Sequence, residues 1–225
     1  MKLIYTTSLG KTIDALNHAF FFGEKITPTQ MHEAAAWITS RHGKEGAYAD
    51  MFAPTTSDFN SGARLFTGEG INSKAATAHI LGEEACRALH ILGVKSNKAA
   101  KALDEATAGI QKRLDDYAYQ KGTYCCGTCT PAMWRHAVVG NIRNPEKLLT
   151  QGLKTLKQRR LENGRWRAFP LYYTLLALLD IELPQASDEM RHAAPVLERM
   201  LLRLPKKDKI YRRRRTLAER VLAKI

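Results

Sequence analysis

Three times in 225 residues the same short pattern interrupts an apolar helical run. A glycine is followed two positions later by an aromatic ring: Gly46-Ala47-Tyr48, Gly122-Thr123-Tyr124 and Gly164-Arg165-Trp166. An aliphatic residue stands eight positions before each glycine (Ile38, Leu114, Leu156), and a proline follows each (Pro54, Pro131, Pro170). The physical unit is a helical hairpin. One helix ends, glycine turns the chain, the ring plugs the gap, and proline opens the return helix. Such hairpins cover one another's apolar faces when stacked.

Strand signals are nearly absent, with no alternation and no Asn-Gly or Asp-Gly flanked by β-branched runs. Helix signals recur instead. Helices are expected over 12–21, 29–40, from an Asn72 or Ser73 cap to Leu92, and over 96–120. More follow from Thr130-Pro131 to Gly140, from Asn144-Pro145 to about Glu162, over 171–181, over 187–203, and after Asp208. The stretch 43–70, rich in Gly, Pro, Thr, Asp and Asn, reads as a long functional loop with a short helix over 58–66. The fold class is therefore all-α. The hairpins are arranged as a partial or small α/α toroid, with an α-solenoid or irregular bundle as the alternatives.

The third unit adds a resemblance. A glutamine near a helix end (Gln158), the Gly164-Arg165-Trp166 turn and the start Tyr172-Tyr173-Thr174 resemble a repeat of the terpenoid cyclase and protein prenyltransferase superfamily. The likeness spans about thirty residues and extends in part to 122–140. It implies inner helices around a central apolar cavity. It does not imply cyclase chemistry: there is no Asp-x-Asp-Asp acid, and Asp115-Asp116-Tyr117 lacks the third carboxylate of a diphosphate site.

Net charge is +13, but 203–225 alone carries +8, which leaves +5 for the rest. Basicity is thus a C-terminal property. It suggests a helical-repeat domain over 1–204 and a basic helix over 205–225. No segment has the eighteen or so unbroken apolar residues of a membrane span, and the N-terminus is too polar for a signal peptide. The expected location is the cytoplasm, where the four cysteines would be thiols, metal ligands or redox groups.

Four constellations carry candidate chemistry. Cys126 and Cys129 have the two-residue gap of a metal or redox pair, and His136, seven residues on, makes a third zinc ligand, with a fourth group to come from elsewhere. The alternative is small thiols packed at a turn. His79, Glu83, Cys86 and His90 form one polar stripe on an otherwise apolar helix, so His79 and Glu83 face a polar cavity or a partner, the alternatives being a set of satisfied buried hydrogen bonds or the solvent side. Tyr124, Trp166, Tyr172 and Tyr173 supply rings for a ligand pocket, or plug the core. Arg212, Arg213 and Arg215 stand beside the apolar seam of the last helix, placed for phosphates or an anionic surface. Three functions follow: a ligand-binding protein with a central pocket, a metal-dependent enzyme built on Cys126, Cys129 and His136, or a nucleic-acid or anionic-surface binder.

Overall fold

The computed structural model describes residues 2–93, 95–116, 121–203 and 207–225. Among the described residues it contains ten α-helices, and extended pairing is limited to three isolated bridges. The helices are α1 (Leu9–Phe22), α2 (Pro28–Thr39), α3 (Thr56–Asn60), α4 (Lys74–Leu92) and α5 (Asn97–Leu114), then α6 (Thr130–Val139), α7 (Pro145–Lys157), α8 (Leu171–Asp180), α9 (Pro184–Leu201) and α10 (Lys209–Lys224).

The three turning glycines lie between helices, each with positive φ: 84° at Gly46, 67° at Gly122 and 79° at Gly164. Two turns are pinned by an antiparallel bridge, His42 with Phe52 and Arg160 with Trp166. Gly122 shows what the turn requires. A Cβ there would overlap the backbone of Leu148 and Gly152 on α7, while Gly152 is itself pressed against the Trp134 ring. Gly122→Ala combines backbone strain with overpacking and is expected to cost about 1–3 kcal/mol. Chemical denaturation measures it, and an unchanged midpoint would refute the close approach.

Several boundaries differ from the sequence expectation. α1 starts at Leu9 rather than Thr12, because Ser8 accepts from the Lys11 amide and Asp58 accepts from the Leu9 and Gly10 amides. α3 is a single capped turn, closed by a Thr55/Asp58 capping box, and stops before Ser61-Gly62. α7 ends at Lys157 because the chain then folds into the Arg160–Trp166 bridge. α9 begins at Pro184, before the expected Ser187 cap. α5 ends at Leu114 with Asp115 as its C-cap, short of the expected 120, and 117–120 lie outside the described residues.

Burial sorts the helices into two kinds. α4 buries fourteen of its nineteen residues, and α6 and α8 are similarly enclosed. α5, α7 and α9 bury one stripe each, such as Ala99, Ala102, Ala106, Ile110 and Leu114 on α5. Packing neighbours run α1–α4–α6–α8–α10. Contacts advance together along neighbouring helices: Gly10 faces Leu81 and Asn17 bonds Glu84 on α1 and α4, His79 lies by Cys129 and His90 by His136 on α4 and α6, and Tyr172 meets Arg214 and Leu179 meets Lys224 on α8 and α10. These helices therefore point the same way. α10 returns to α1, where Arg213 and Lys209 both pair with Asp14.

Between these helices lies an ionic network rather than an apolar cavity. Arg135 Nε donates to Glu84 Oε1 (2.8 Å) and its NH1 to Asp180 Oδ2 (2.7 Å). Arg87 donates to Asn17 and Asp180, Asn17 to the second Glu84 oxygen (3.0 Å), and the Tyr173 hydroxyl to Glu84 Oε1 (2.5 Å). The adjoining cavity, lined by Asn17, Glu84 and Tyr173, has a volume of about 20 Å³, the room of one water molecule. Tyr173 thus belongs to this network, and the cavity it lines here has room for a water rather than a ligand.

The basic C-terminal segment is built into the body. The expected domain boundary at 204/205 falls outside the described residues, but α10 packs on α8 and α9 and buries Leu217, Ala218 and Val221. Arg213, expected to face phosphates, is 1% exposed. It donates to Asp14 and to the Phe66 carbonyl and stacks over the Phe66 ring at 3.9 Å. That corrects the expectation for Arg213: one face of a short helix had to serve both as dock and as surface, and the dock took it. Arg212 lies over Phe22 (4.8 Å), and Arg215 pairs with Glu219 (3.1 Å).

Candidate metal centre

The chain from Gly122 to Cys129 is a tight loop tied to the first turn of α6. The Thr130 hydroxyl donates to the Cys126 carbonyl (2.8 Å) and accepts from the Tyr124 amide (2.9 Å), and Trp134 Nε1 donates to the Gly122 carbonyl (2.8 Å). Cys129 is the N-cap residue of α6. This folding brings three thiols together. Cys126 and Cys129 sulfurs are 3.4 Å apart, and the Cys125 sulfur lies within 4.8 Å of that of Cys129. Cys125 and Cys126 are exposed and Cys129 is buried.

The fourth donor comes from α4. His79 Nδ1 lies 3.5 Å from Cys125 Sγ, and the donor atoms of His79, Cys125 and Cys129 all fall within 4.8 Å of one another. His79 is 1% exposed. Its ring stacks on Tyr48 (4.7 Å) and meets Tyr124 edge-on (4.1 Å). The two tyrosine hydroxyls are bonded to each other at 2.7 Å. Tyr48 is delivered by the long loop before α4.

Behind His79 stands a buried relay of fixed orientation. Glu83 Oε1 is 3.3 Å from His79 Nε2, and Glu83 Oε2 is 2.6 Å from His136 Nδ1. Burial pushes the Glu83 carboxyl upward, but the hydrogen bonds from His136 and His79 outweigh it and hold the group down at about 2. An ionised carboxylate only accepts, so each imidazole must present an N–H to it. A neutral His79 then carries its lone pair on Nδ1, the nitrogen facing the cysteines. This is the tautomer a metal ligand needs.

The thiols are electrostatically unequal. Contacts with Cys125 and Cys129 hold Cys126 well below the ordinary thiol value, while Cys125 is raised by Cys126 and Cys129 is raised by Cys125 and then Cys126. Cys86 is raised by burial and then by the Glu83 charge, so it stays a packed thiol.

Of the expected metal set, Cys126 and Cys129 are brought together, while His136 is turned into Glu83, one step behind the ligand position. His79, expected at a ligand pocket, takes that position instead, and Cys125 joins the cluster. Glu83 and Tyr124 are also at this site. Trp166 is not: its Nε1 donates to Glu189 (2.7 Å) and it plugs its own turn. Tyr172 is remote as well, under the Arg214 guanidinium at 4.3 Å, with its amide donated to Glu69. The sequence signal for His79 was its place four residues before Glu83 on an apolar helix. Nothing in spacing alone linked α4 to the cysteine loop.

His136 Nε2 and His90 Nε2 are buried without a hydrogen-bond partner, their rings 5.8 Å apart. If Glu83 becomes Gln, the carboxamide can still meet one imidazole N–H, but the charge that fixes both tautomers is gone. Glu83→Gln is therefore expected to weaken zinc binding 10–100-fold, roughly. A competition titration against a chromogenic chelator reads this, and unchanged affinity would show that the orientation of His79 does not depend on Glu83.

No helix among the described residues is long and apolar enough to cross a membrane. No protein-family model matches the chain, and neither the curated proteins nor the solved structures include one similar to it.

Proposed function

We propose that the chain is a zinc-binding protein whose ion is held by His79, Cys125, Cys126 and Cys129. The observation that carries this is the match between donor spacing and coordination geometry. Zn–S bonds of about 2.3 Å and Zn–N bonds of about 2.0–2.1 Å set tetrahedral donors about 3.6–3.8 Å apart. The contacts of 3.4 Å between Cys126 and Cys129 and 3.5 Å between Cys125 and His79 are slightly inside that spacing, and the donor atoms of His79, Cys125 and Cys129 lie within 4.8 Å of one another, with Cys126 joining that set through Cys129. The carboxylate behind His79 is the outer support that histidine ligands commonly have.

Four protein donors leave no open position for a water. The reading is therefore a metal-holding or structural centre rather than a hydrolytic one. It joins the 121–129 loop to α4, and so fastens two inner helices at their starts. The order of inner-helix neighbours and the return of α10 to α1 support a small α/α ring as the architecture around it. In that ring the centre is occupied by ion pairs, and function sits at the rim.

The test is elemental analysis of full-length protein prepared without chelator. One zinc per chain is expected. Replacement by cobalt should give the intense visible absorption of a tetrahedral thiolate site. Zinc well below one equivalent after reconstitution, or a weak octahedral cobalt spectrum, would defeat the reading.

A further inference from the structure

We propose that the zinc centre is a redox switch, in which a low-molecular-weight disulfide converts Cys126 and Cys129 into an intramolecular disulfide and expels the ion. The proposal rests on the zinc reading above and adds its regulation.

The geometry selects this pair. Their sulfurs are 3.4 Å apart, and a closing shift of about 1.4 Å reaches bonding distance. The adjacent pair Cys125–Cys126 is a poor alternative. Neighbouring Cα atoms are about 3.8 Å apart across a trans peptide, below the roughly 4.4 Å minimum usual for a disulfide. Exposure divides the labour: Cys126 is reachable from solvent and Cys129 lies beneath it, as an attacking and a resolving sulfur require.

The exchange balances. The Cys126 thiolate attacks one sulfur of R–S–S–R, forming a mixed disulfide and releasing one R–S⁻. The Cys129 thiolate then attacks the Cys126 sulfur, forming the internal bond and releasing the second R–S⁻. Two protein thiolates have lost two electrons, and the external disulfide has gained them. The centre has lost two negative charges and two donors. Cys125 and His79 alone do not retain a divalent zinc ion at low free concentration, so it leaves. Reduction of the internal bond by a dithiol restores all four donors.

The experiment titrates zinc-loaded full-length protein with oxidised glutathione, following released zinc, free thiols and the linkage by peptide mapping. Expected are one zinc released per two thiols lost, a fall from four free thiols to two, a Cys126–Cys129 linkage, and recovery of zinc binding after dithiothreitol. Cys86→Ala, outside the donor set, should release zinc in the same way while starting from three thiols. Zinc retained while thiols are lost, or a linkage through Cys125, overturns the switch and leaves the zinc reading standing. So does zinc-loaded protein whose thiols resist glutathione disulfide even when the metal-free form oxidises. A chain that never takes up zinc overturns both, whatever its thiols do.

Discussion

Arg135→Met should lower stability by about 3–5 kcal/mol, the cost usual for removing one partner of a buried ion pair. Arg135 is 2% exposed and holds both Glu84 and Asp180. Methionine fills much of the stem's volume but offers no charge. Glu84, 3% exposed, would keep the Tyr173 hydroxyl and Asn17 but lose its shortest ionic contact. At about 2–4 °C per kcal/mol for a chain of this size, the melting temperature should fall by about 6–20 °C. The discriminating variant is Glu84→Leu/Arg135→Met. It removes both charges and leaves Arg87 facing Asp180 (3.3 Å) as a smaller pair. Its loss should fall short of the summed single losses by about 1–3 kcal/mol. Strict additivity in thermal and denaturant melts would mean that the two side chains do not act as a pair.

That network fills the space between α4, α6 and α8, where the cavity beside Asn17, Glu84 and Tyr173 has about 20 Å³. From sequence, a helix apolar on most sides with a polar stripe suggested a cavity for His79 and Glu83 to face. The helix is indeed enclosed, but its polar residues face those of other helices. Glu84 was unremarkable beside Glu83, Arg135 sat between Trp134 and His136, and Asn17 and Asp180 stood alone in apolar runs. Each is costly to bury singly and affordable only in company. The company comes from residues 45–118 positions apart, which a local pattern does not record.

Local signals fared better where the physics is local. Ser73 accepts from the Ala76 amide, Asp208 accepts from the Tyr211 amide, Gly93 closes α4 with φ of 60°, and the three turning glycines lie between helices. The cysteine pair was equally plain. The choice of histidine was not, because α4 and α6 run side by side in the same direction. Residues early on α4 meet the α6 N-terminus, so His79 reaches the cysteines. His136, two turns into α6, is level with Glu83. Cys125 gave no spacing signal at all. It joins the set because the loop turns back on itself under the Thr130 and Trp134 hydrogen bonds.

Cys129→Ser should abolish stoichiometric zinc binding and remove the stability that the ion supplies. Cys129 is the buried member of the trio, 3.4 Å from the Cys126 sulfur and within 4.8 Å of the Cys125 sulfur, so its loss leaves two exposed thiols and one imidazole. A serine hydroxyl is a far poorer zinc ligand than a thiolate, while its size differs little, so the loop can keep its hydrogen bonds to Thr130. The parent protein at zinc one hundred times its dissociation constant gains about 2.7 kcal/mol from binding, or about 5–11 °C in melting temperature. A chelator should remove that increment from the parent and leave Cys129→Ser unchanged, so the two curves coincide without metal. Were the variant already less stable than chelated parent by several kcal/mol, the cysteine would be acting through packing. Were chelation without effect on either, the loop and α4 would be held together by their side chains alone, and the ion would have no part in fastening them.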